Sequence, residues 1–190
     1  RWNDAVFLNV AGVGLDAAVA RVINSRLRRV RGTLAYVAGF LMVLPRFQPP
    51  VLELRFPRGL EVVRAGGAAL DRPDRWRGRA LLAAFANATD YGGGMRIAPL
   101  ADPSDGQLDL VIVRDASKVE LVRAFPRVFR GAHLDHPAVT VLRAPAVAVA
   151  AEGGAPVMLD GESLGELPAQ VTAAASRLRV AIPLPAPHAG

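Results

Sequence analysis

Cysteine is absent from the 190 residues, which excludes disulfides and thiolate metal centres and leaves the chemistry to carboxylates, hydroxyls, histidines and backbone. His133, His136 and His188 show no metal-ligand spacing, and no Gly-x-Ser-x-Gly nucleophile elbow occurs. Long apolar runs are missing too. The longest, Leu34 to Leu44, covers eleven residues, whereas a membrane span needs about 20, so a buried helix is expected there. Aromatic residues are few, and Trp76 stands alone among Arg72, Arg75, Arg77 and Arg79, so no base-stacking surface for nucleic acid is expected. Arg1-Trp2-Asn3-Asp4 offers neither an initiator Met nor the apolar stretch of a signal peptide, and the expectation is a piece of a longer protein.

With 52% hydrophobic residues against 21% charged, the chain can bury enough apolar surface for one globular domain. Its formal charge of +6 rests on arginine, Lys118 being the only lysine. Such a balance suits polyanions, whether lipid headgroups, phosphates or nucleic acid, and does not choose among them.

Ala5 to Val10 reads as a buried strand ended by Gly12 and Gly14, with Asp16 as N-cap of a helix from Ala17 to Arg29. A second helix is expected from Thr33 to Leu44, stopped by Pro45, Pro49 and Pro50. From Val51 the apolar period changes to two: strands are expected at 51–56, 61–64, 80–86 and 108–113. No helices of βαβ type separate them, so they should pair antiparallel. Ser117-Lys118-Val119-Glu120 is a capping box that starts a helix broken at Pro126. Strands follow at 139–142, 146–150, 157–159, 169–173 and 178–182, with Glu152-Gly153-Gly154-Ala155 as a hairpin turn and a frayed tail over 184–190. The fold class expected is mainly β with peripheral helices, an antiparallel sandwich or barrel occupying residues 1–183.

Three segments could carry chemistry. Asp160-Gly161-Glu162 leaves a strand with two carboxylates, one of which could accept a proton, although Asp-Gly is also the commonest turn dipeptide. Tyr91 to Asp109 combines three consecutive glycines with Asp102 and Asp105, hard-oxygen donors suited to Mg²⁺ or Ca²⁺, and reads equally as a long loop closed by Asx turns. Gly12-x-Gly14 lies between a strand and a helix but lacks the third glycine of a dinucleotide fingerprint.

Taken together and in order, Phe7-x-Asn9, Gly12-x-Gly14-x-Asp16, Gly32-Thr33-Leu34-Ala35-Tyr36, Asn87, Gly92-Gly93-Gly94 through Pro99-x-Ala101 to Asp105-Gly106-x-Leu108-Asp109, Gly131-x-His133, Pro137 and Asp160-Gly161-Glu162 resemble the C-terminal lobe of the bacterial diacylglycerol kinase-like lipid kinases. Sphingosine and ceramide kinases are in that family, and NAD kinases are distant relatives that the Gly92 to Asp109 segment and the terminal Asp-Gly-Glu fit less well. The resemblance runs from about Phe7 to Pro183 and implies a β-sandwich lobe that carries the acceptor side of an ATP-dependent lipid kinase. The family's nucleotide-binding lobe, with its Gly-Gly-Asp-Gly-Thr loop, has no counterpart in this sequence. The resemblance further implies Glu162 as the base that takes the proton of a diacylglycerol-like hydroxyl and Asp160 as the residue that orders the loop or a metal-bound water. A structural Mg²⁺ is implied on Asp105 with Asp102 and Gln107, and ATP as co-substrate. It also implies a cytoplasmic protein peripheral to the inner face of an anionic membrane, partnered by the missing lobe, compatible with a homodimer, and without turnover as an isolated chain. The competing expectation is a non-catalytic β-sandwich that binds anionic lipid or a protein.

Overall fold

A computed structural model of the chain describes residues 1–30, 32–66, 70 and 72–174. Its strands are β1 (Val10–Gly14), β2 (Val51–Arg55), β3 (Glu61–Arg64), β4 (Arg75–Ala86), β5 (Leu108–Arg114), β6 (Val139–Ala144), β7 (Ala146–Ala151), β8 (Val157–Leu159) and β9 (Ala169–Thr172). Every pairing among them is antiparallel, as the lack of crossover helices requires. The long strand β4 belongs to two sheets. Its first half, Arg75 to Arg79, pairs with β2, which continues to β7 and β9. Its second half lies between β5, which continues to β6 and β3, and β1, which continues to β8. The register with β5 shifts between Ala80 and Leu82, where the strand passes from one sheet to the other.

Alternation decides which side chains enter the sandwich. Leu52, Leu54 and Trp76 point inward from the β2–β7 sheet and meet Val13, Phe85, Leu110, Ile112 and Leu142 of the other. Between them Glu53, Arg75, Arg77 and Arg79 point outward and pair: Arg75 with Glu53 at 3.0 Å, Arg79 with Asp115 at 3.3 Å, and Arg77 with Glu152. Arg75, Arg77 and Arg79 therefore form an ion-paired sheet face.

The larger sheet is buried on both sides, which is why β1, β5 and β6 are mostly apolar on both faces, interrupted by Asp109, Thr140 and Arg143. Its outer face, with Val10, Ala84, Val111, Val139 and Val141, is covered by Met95, Ile97, Val128 and Leu134. Three helices, α1 (Leu15–Arg26), α2 (Thr33–Val43) and α3 (Lys118–Ala124), complete that cover. Leu15, Val19, Phe40, Leu44, Leu81 and Leu121 form their shared core. Phe40 of α2 stacks on Phe125 with ring centroids 4.3 Å apart, a contact worth about 0.5–1.5 kcal/mol beyond the area it buries. The Ser117 hydroxyl accepts the Glu120 amide at 3.2 Å to start α3, and Pro126 lies in the first of two 3-10 turns that follow it.

Four expectations need correction. The first strand is not Ala5 to Val10 but begins at Val10 and contains Gly12 and Gly14. Both glycines leave room for another group: a Cβ on Gly12 would lie 2.0 Å from an Asp16 carboxylate oxygen, and one on Gly14, at φ +108°, would lie 2.5 Å from the Leu81 carbonyl oxygen. Asp16 is not a cap, since Gly14 holds that position and Asp16 sits in the first helical turn. The strand expected from Ala80 starts at Arg75, its charged first half being hidden by the outward arginines. Glu152 to Ala155 does turn the chain, with the Gly154 amide donating to the Ala151 carbonyl at 3.2 Å, but it closes no hairpin, because β7 pairs with β2 and β9 whereas β8 pairs with β1. The strand expected at 178–182, the 184–190 tail and the boundary at 183 lie outside the described residues.

Candidate functional site

Asp160-Gly161 turns the chain back between Leu159 and Glu162, which bridge each other with N–H···O contacts of 2.8 and 2.9 Å. Both turn residues have positive φ, +49° at Asp160 and +90° at Gly161, a conformation that glycine takes freely and Asp tolerates better than most residues. The Asp160 carboxylate reaches over to the segment entering β1. Its Oδ2 accepts the Leu8 amide at 2.7 Å, and its Oδ1 accepts the amides of Asn9 and Val10 at 2.9 and 3.0 Å. This side chain orders the loop. Glu162 projects from the far side of the turn into a shallow recess formed with Ile23, Asn24, Leu27, Arg28 and Val30. The Asn24 side-chain amide donates to the Gly161 carbonyl at 3.0 Å, so α1 fixes the turn that presents Glu162.

Beside this loop lies a cavity of about 370 Å³ between the larger sheet and the helices. Its floor crosses Met158 of β8, Val10 of β1, Leu82 of β4, Val113 of β5 and Val139 of β6. Four strand spacings give it a reach of roughly 19 Å. The roof is Tyr36 and Phe40 of α2 with Leu121, Ala124 and Phe125, and Asp160 and Gly161 close one end. A long, apolar hollow that ends at a carboxylate-bearing turn suits a chain molecule with one polar head.

A few polar groups interrupt the apolar lining. Tyr91 donates its hydroxyl to Asp16 Oδ2 at 2.6 Å, and the Ala17 amide donates to Asp16 Oδ1 at 2.8 Å. Asp16 keeps some accessible surface where it borders the cavity, but protein encloses its carboxyl, and burial pushes it up to about 6 against the pull of those two donors. Burial likewise raises the Tyr91 hydroxyl, helped by the adjacent Asp16. The buried His133 ring faces the Ile97 carbonyl through Nε2 at 3.0 Å, and burial lowers its basicity. Since a carbonyl only accepts, Nε2 carries the proton and Nδ1 is an acceptor, without a partner among the described residues. Asn9 gives its side-chain amide to the Asp90 carbonyl at 2.6 Å and leaves its own oxygen without one. The Asp16–Tyr91 pair escaped the sequence reading because 75 residues separate its members; the only trace was Asp16 following two glycines.

The three consecutive glycines let another segment of the chain come close. A Cβ on Gly92 would lie 2.7 Å from the Tyr36 hydroxyl oxygen, and the Thr33 hydroxyl donates to the Gly93 carbonyl at 2.9 Å, so the loop packs beneath the start of α2. Farther along, the expected metal residues close turns. Asp102 Oδ1 accepts from the Ser104 amide and hydroxyl at 2.8 and 2.6 Å, and Asp105 Oδ1 accepts the Gln107 amide at 2.8 Å. Arg143 clamps Asp109 with contacts of 2.9 and 3.3 Å, donates to the Leu100 carbonyl at 3.0 Å, and lies 3.9 Å from Asp105. Among the described residues no group of three or more His, Cys, Asp or Glu side chains is placed to hold a metal. The donors that remain, a second carboxylate oxygen on Asp102 and on Asp105 plus backbone carbonyls, are the hard oxygens that Mg²⁺ accepts. The structure thus puts Asp160 at one end of the cavity and Glu162 in the adjoining recess on the other side of the turn, and gathers Asp102, Asp105 and Gln107 in a separate loop.

Comparison with known proteins supplies the context. The chain is 33% identical over 180 residues to a diacylglycerol kinase of Mycobacterium tuberculosis, covering 93% of this chain and 52% of the relative. It is 25% identical over 181 residues to a diacylglycerol kinase of Bacillus subtilis, covering 95% and 55%. A crystal structure of a diacylglycerol kinase from Bacillus anthracis shares the fold with a TM-score of 0.60 at 17% identity, over 90% of this chain and 50% of that one. The chain spans about half the length of these relatives, and it aligns with their C-terminal portion. Residues 9–182 match the YegS C-terminal NAD kinase beta sandwich-like domain, and the chain belongs to that family of diacylglycerol kinase-like proteins.

Proposed function

We propose that this chain is the acceptor-side lobe of an ATP-dependent lipid kinase that phosphorylates the hydroxyl of diacylglycerol or a related lipid alcohol. The observation that supports this reading is the apolar cavity ending at the Asp160-Gly161 turn, with Glu162 in the recess that adjoins the turn on its other side. The acyl part of the lipid lies in the cavity, where its burial drives binding. Its hydroxyl then faces the turn. Glu162 takes the hydroxyl proton as the oxygen attacks, while Asp160 holds the turn against β1 through its three backbone contacts. ATP and its metal would be held by the nucleotide-binding half of the complete enzyme, where Mg²⁺ would neutralise the phosphates. In this half, Asp105 with Asp102 and the Gln107 carbonyl would hold a structural Mg²⁺ that stiffens the loop before β5. No described helix is long and apolar enough to cross a membrane. In this reading the lipid is met by peripheral contact with an anionic membrane, on the cytoplasmic side.

The test combines the chain with a separately produced nucleotide-binding lobe of a diacylglycerol kinase. Expected is ATP-dependent phosphorylation of diacylglycerol that Glu162→Gln abolishes and that the chain alone does not show. Ala124→Phe, which fills the cavity roof, should weaken lipid binding without touching Glu162. Full activity in Glu162→Gln would remove that residue from the mechanism. Lipid binding with no product under any pairing would instead make the chain a non-catalytic lipid-binding module.

A further inference from the structure

The polar side chains that line the cavity are already engaged, with one exception. Asp160 accepts three backbone amides, each oxygen of Asp16 has a donor, Tyr91 spends its proton on Asp16, and Asn9 donates to the Asp90 carbonyl. His133 faces the Ile97 carbonyl, and His136 pairs with Glu120 at 3.2 Å. Tyr36 of α2 is the exception. Its hydroxyl makes neither a hydrogen bond nor an ion pair among the described residues, although its half-buried side chain belongs to the cavity roof.

The place of this hydroxyl can be read from its neighbours. It lies over Gly92, where a Cβ would come within 2.7 Å of its oxygen, and Gly92 itself borders the cavity. The preceding residue, Tyr91, packs on Ala17, Ala20 and Met158, and Met158 is two residues before Asp160. The Tyr36 hydroxyl therefore stands at the head end of the hollow. Burial raises it above its ordinary range, so it keeps its proton at neutral pH and serves as a donor. A donor that the protein leaves unengaged in the wall of an apolar site is a point of recognition for an acceptor on the guest.

We infer that the Tyr36 hydroxyl donates to an ester carbonyl of the bound lipid, and that Tyr36 thereby selects acylglycerols over ether-linked lipids and long-chain amino alcohols. The inference rests on the lipid-kinase reading and narrows its substrate. In an acylglycerol the carbonyl oxygen lies a few bonds from the free hydroxyl, between the head that meets the Asp160-Gly161 turn and the chain that fills the hollow. An ether-linked lipid has no oxygen at that point. An amino alcohol brings further donors and a positive charge, which call for a carboxylate with an oxygen to spare. Asp16 and Asp160, the carboxylates that border this cavity, have every oxygen engaged by a donor of the chain itself.

Calorimetric titration of the 190-residue chain with dioctanoylglycerol and with the corresponding dioctyl ether, each below its aggregation concentration, tests the assignment. The ester should bind roughly three- to tenfold more tightly, the net worth of one hydrogen bond. Tyr36→Phe should weaken the ester by that factor, leave the ether unchanged and so abolish the preference. The hydroxyl holds no protein group, so the variant should unfold at the wild-type temperature. Equal binding of ester and ether by the wild type, or a preference that survives in Tyr36→Phe, would overturn the proposal. So would a short-chain 2-amino-1,3-diol that binds more tightly than the ester. Equal binding of ester and ether removes only the role of Tyr36 and leaves the cavity as a lipid site; binding of neither lipid refutes the cavity, and this inference with it.

Discussion

Replacing Asp16 by Asn should stabilise the protein at neutral pH and do nothing of the kind in acid. A carboxyl that titrates near 3.9 in an unfolded chain is pushed to about 6 here, chiefly by burial. The folded state thus holds this proton more tightly than the unfolded state does. Below about pH 4 both states are protonated and Asp16 costs nothing; as pH rises through the folded value the difference of about two units removes about 3 kcal/mol, and above pH 7 the loss is complete. Asn fits the same space, offers the Tyr91 hydroxyl an oxygen acceptor and has no charge to desolvate. The quantity to measure is the difference in unfolding free energy between Asp16→Asn and wild type across pH 4 to 8. Urea titration followed by the fluorescence of Trp2 and Trp76, both almost fully buried, provides it. A gain of about 1–3 kcal/mol at pH 7.5 that falls to about 0.5 kcal/mol or less by pH 4 is expected, the lower figure at pH 7.5 if water in the cavity relieves part of the burial. A difference that does not change with pH, or a variant weaker than wild type at pH 7.5, would refute the reasoning.

Other predictions concern the parts that position the site. Asp160→Ala leaves the amides of Leu8, Asn9 and Val10 without their carboxylate and should cost about 2–4 kcal/mol, seen as a fall of roughly 5–15 °C in Tm; Asp160→Asn, which keeps an acceptor oxygen and tolerates positive φ, should cost less than half of that. Gly14→Ala must place a Cβ 2.5 Å from the Leu81 carbonyl oxygen at φ +108°, and a loss of about 2–4 kcal/mol in urea unfolding is expected. Arg143→Met strands the Asp109 carboxylate, which is 2% exposed, at a cost of about 3–5 kcal/mol. Adding Asp109→Asn to that variant should return part of it, and equal stability of the single and double variants would show that the charge was never the problem.

What could be read from the sequence was whatever is decided locally. Ser117 and Glu120 announce α3 because the cap lies within four residues, and Leu52 and Leu54 announce β2 because alternation needs no partner. Gly12 and Gly14 were misread as a strand end because their reason for being glycine, the Asp16 carboxylate folded back over Gly12 and the Leu81 carbonyl from a remote strand against Gly14, is set by the fold. Gly153 and Gly154 make the turn they advertise, yet a turn does not say which strands pair, and β8 leaves for β1. The site divides in the same way. Asp160-Gly161-Glu162 stands out as a motif in a fixed order with others, but the cavity beside it, assembled from five strands and three helices, has no local signature. Asp16 and His133 acquire their perturbed acidities only from that enclosure.

Strand β4 gives the molecule its mechanical character. Because Arg75 to Arg79 is laced to β2 and Ala80 to Ala86 to both β1 and β5, neither sheet can come apart without releasing the strand the other depends on. Amide exchange in β4 should therefore require opening of the whole molecule, with no sheet-by-sheet intermediate. The roof helices lie outside this weave. α2 can lift, exchange its amides and admit a large apolar guest while the sandwich beneath stays shut, so the part that must yield and the part that must hold are separated in free energy as well as in space.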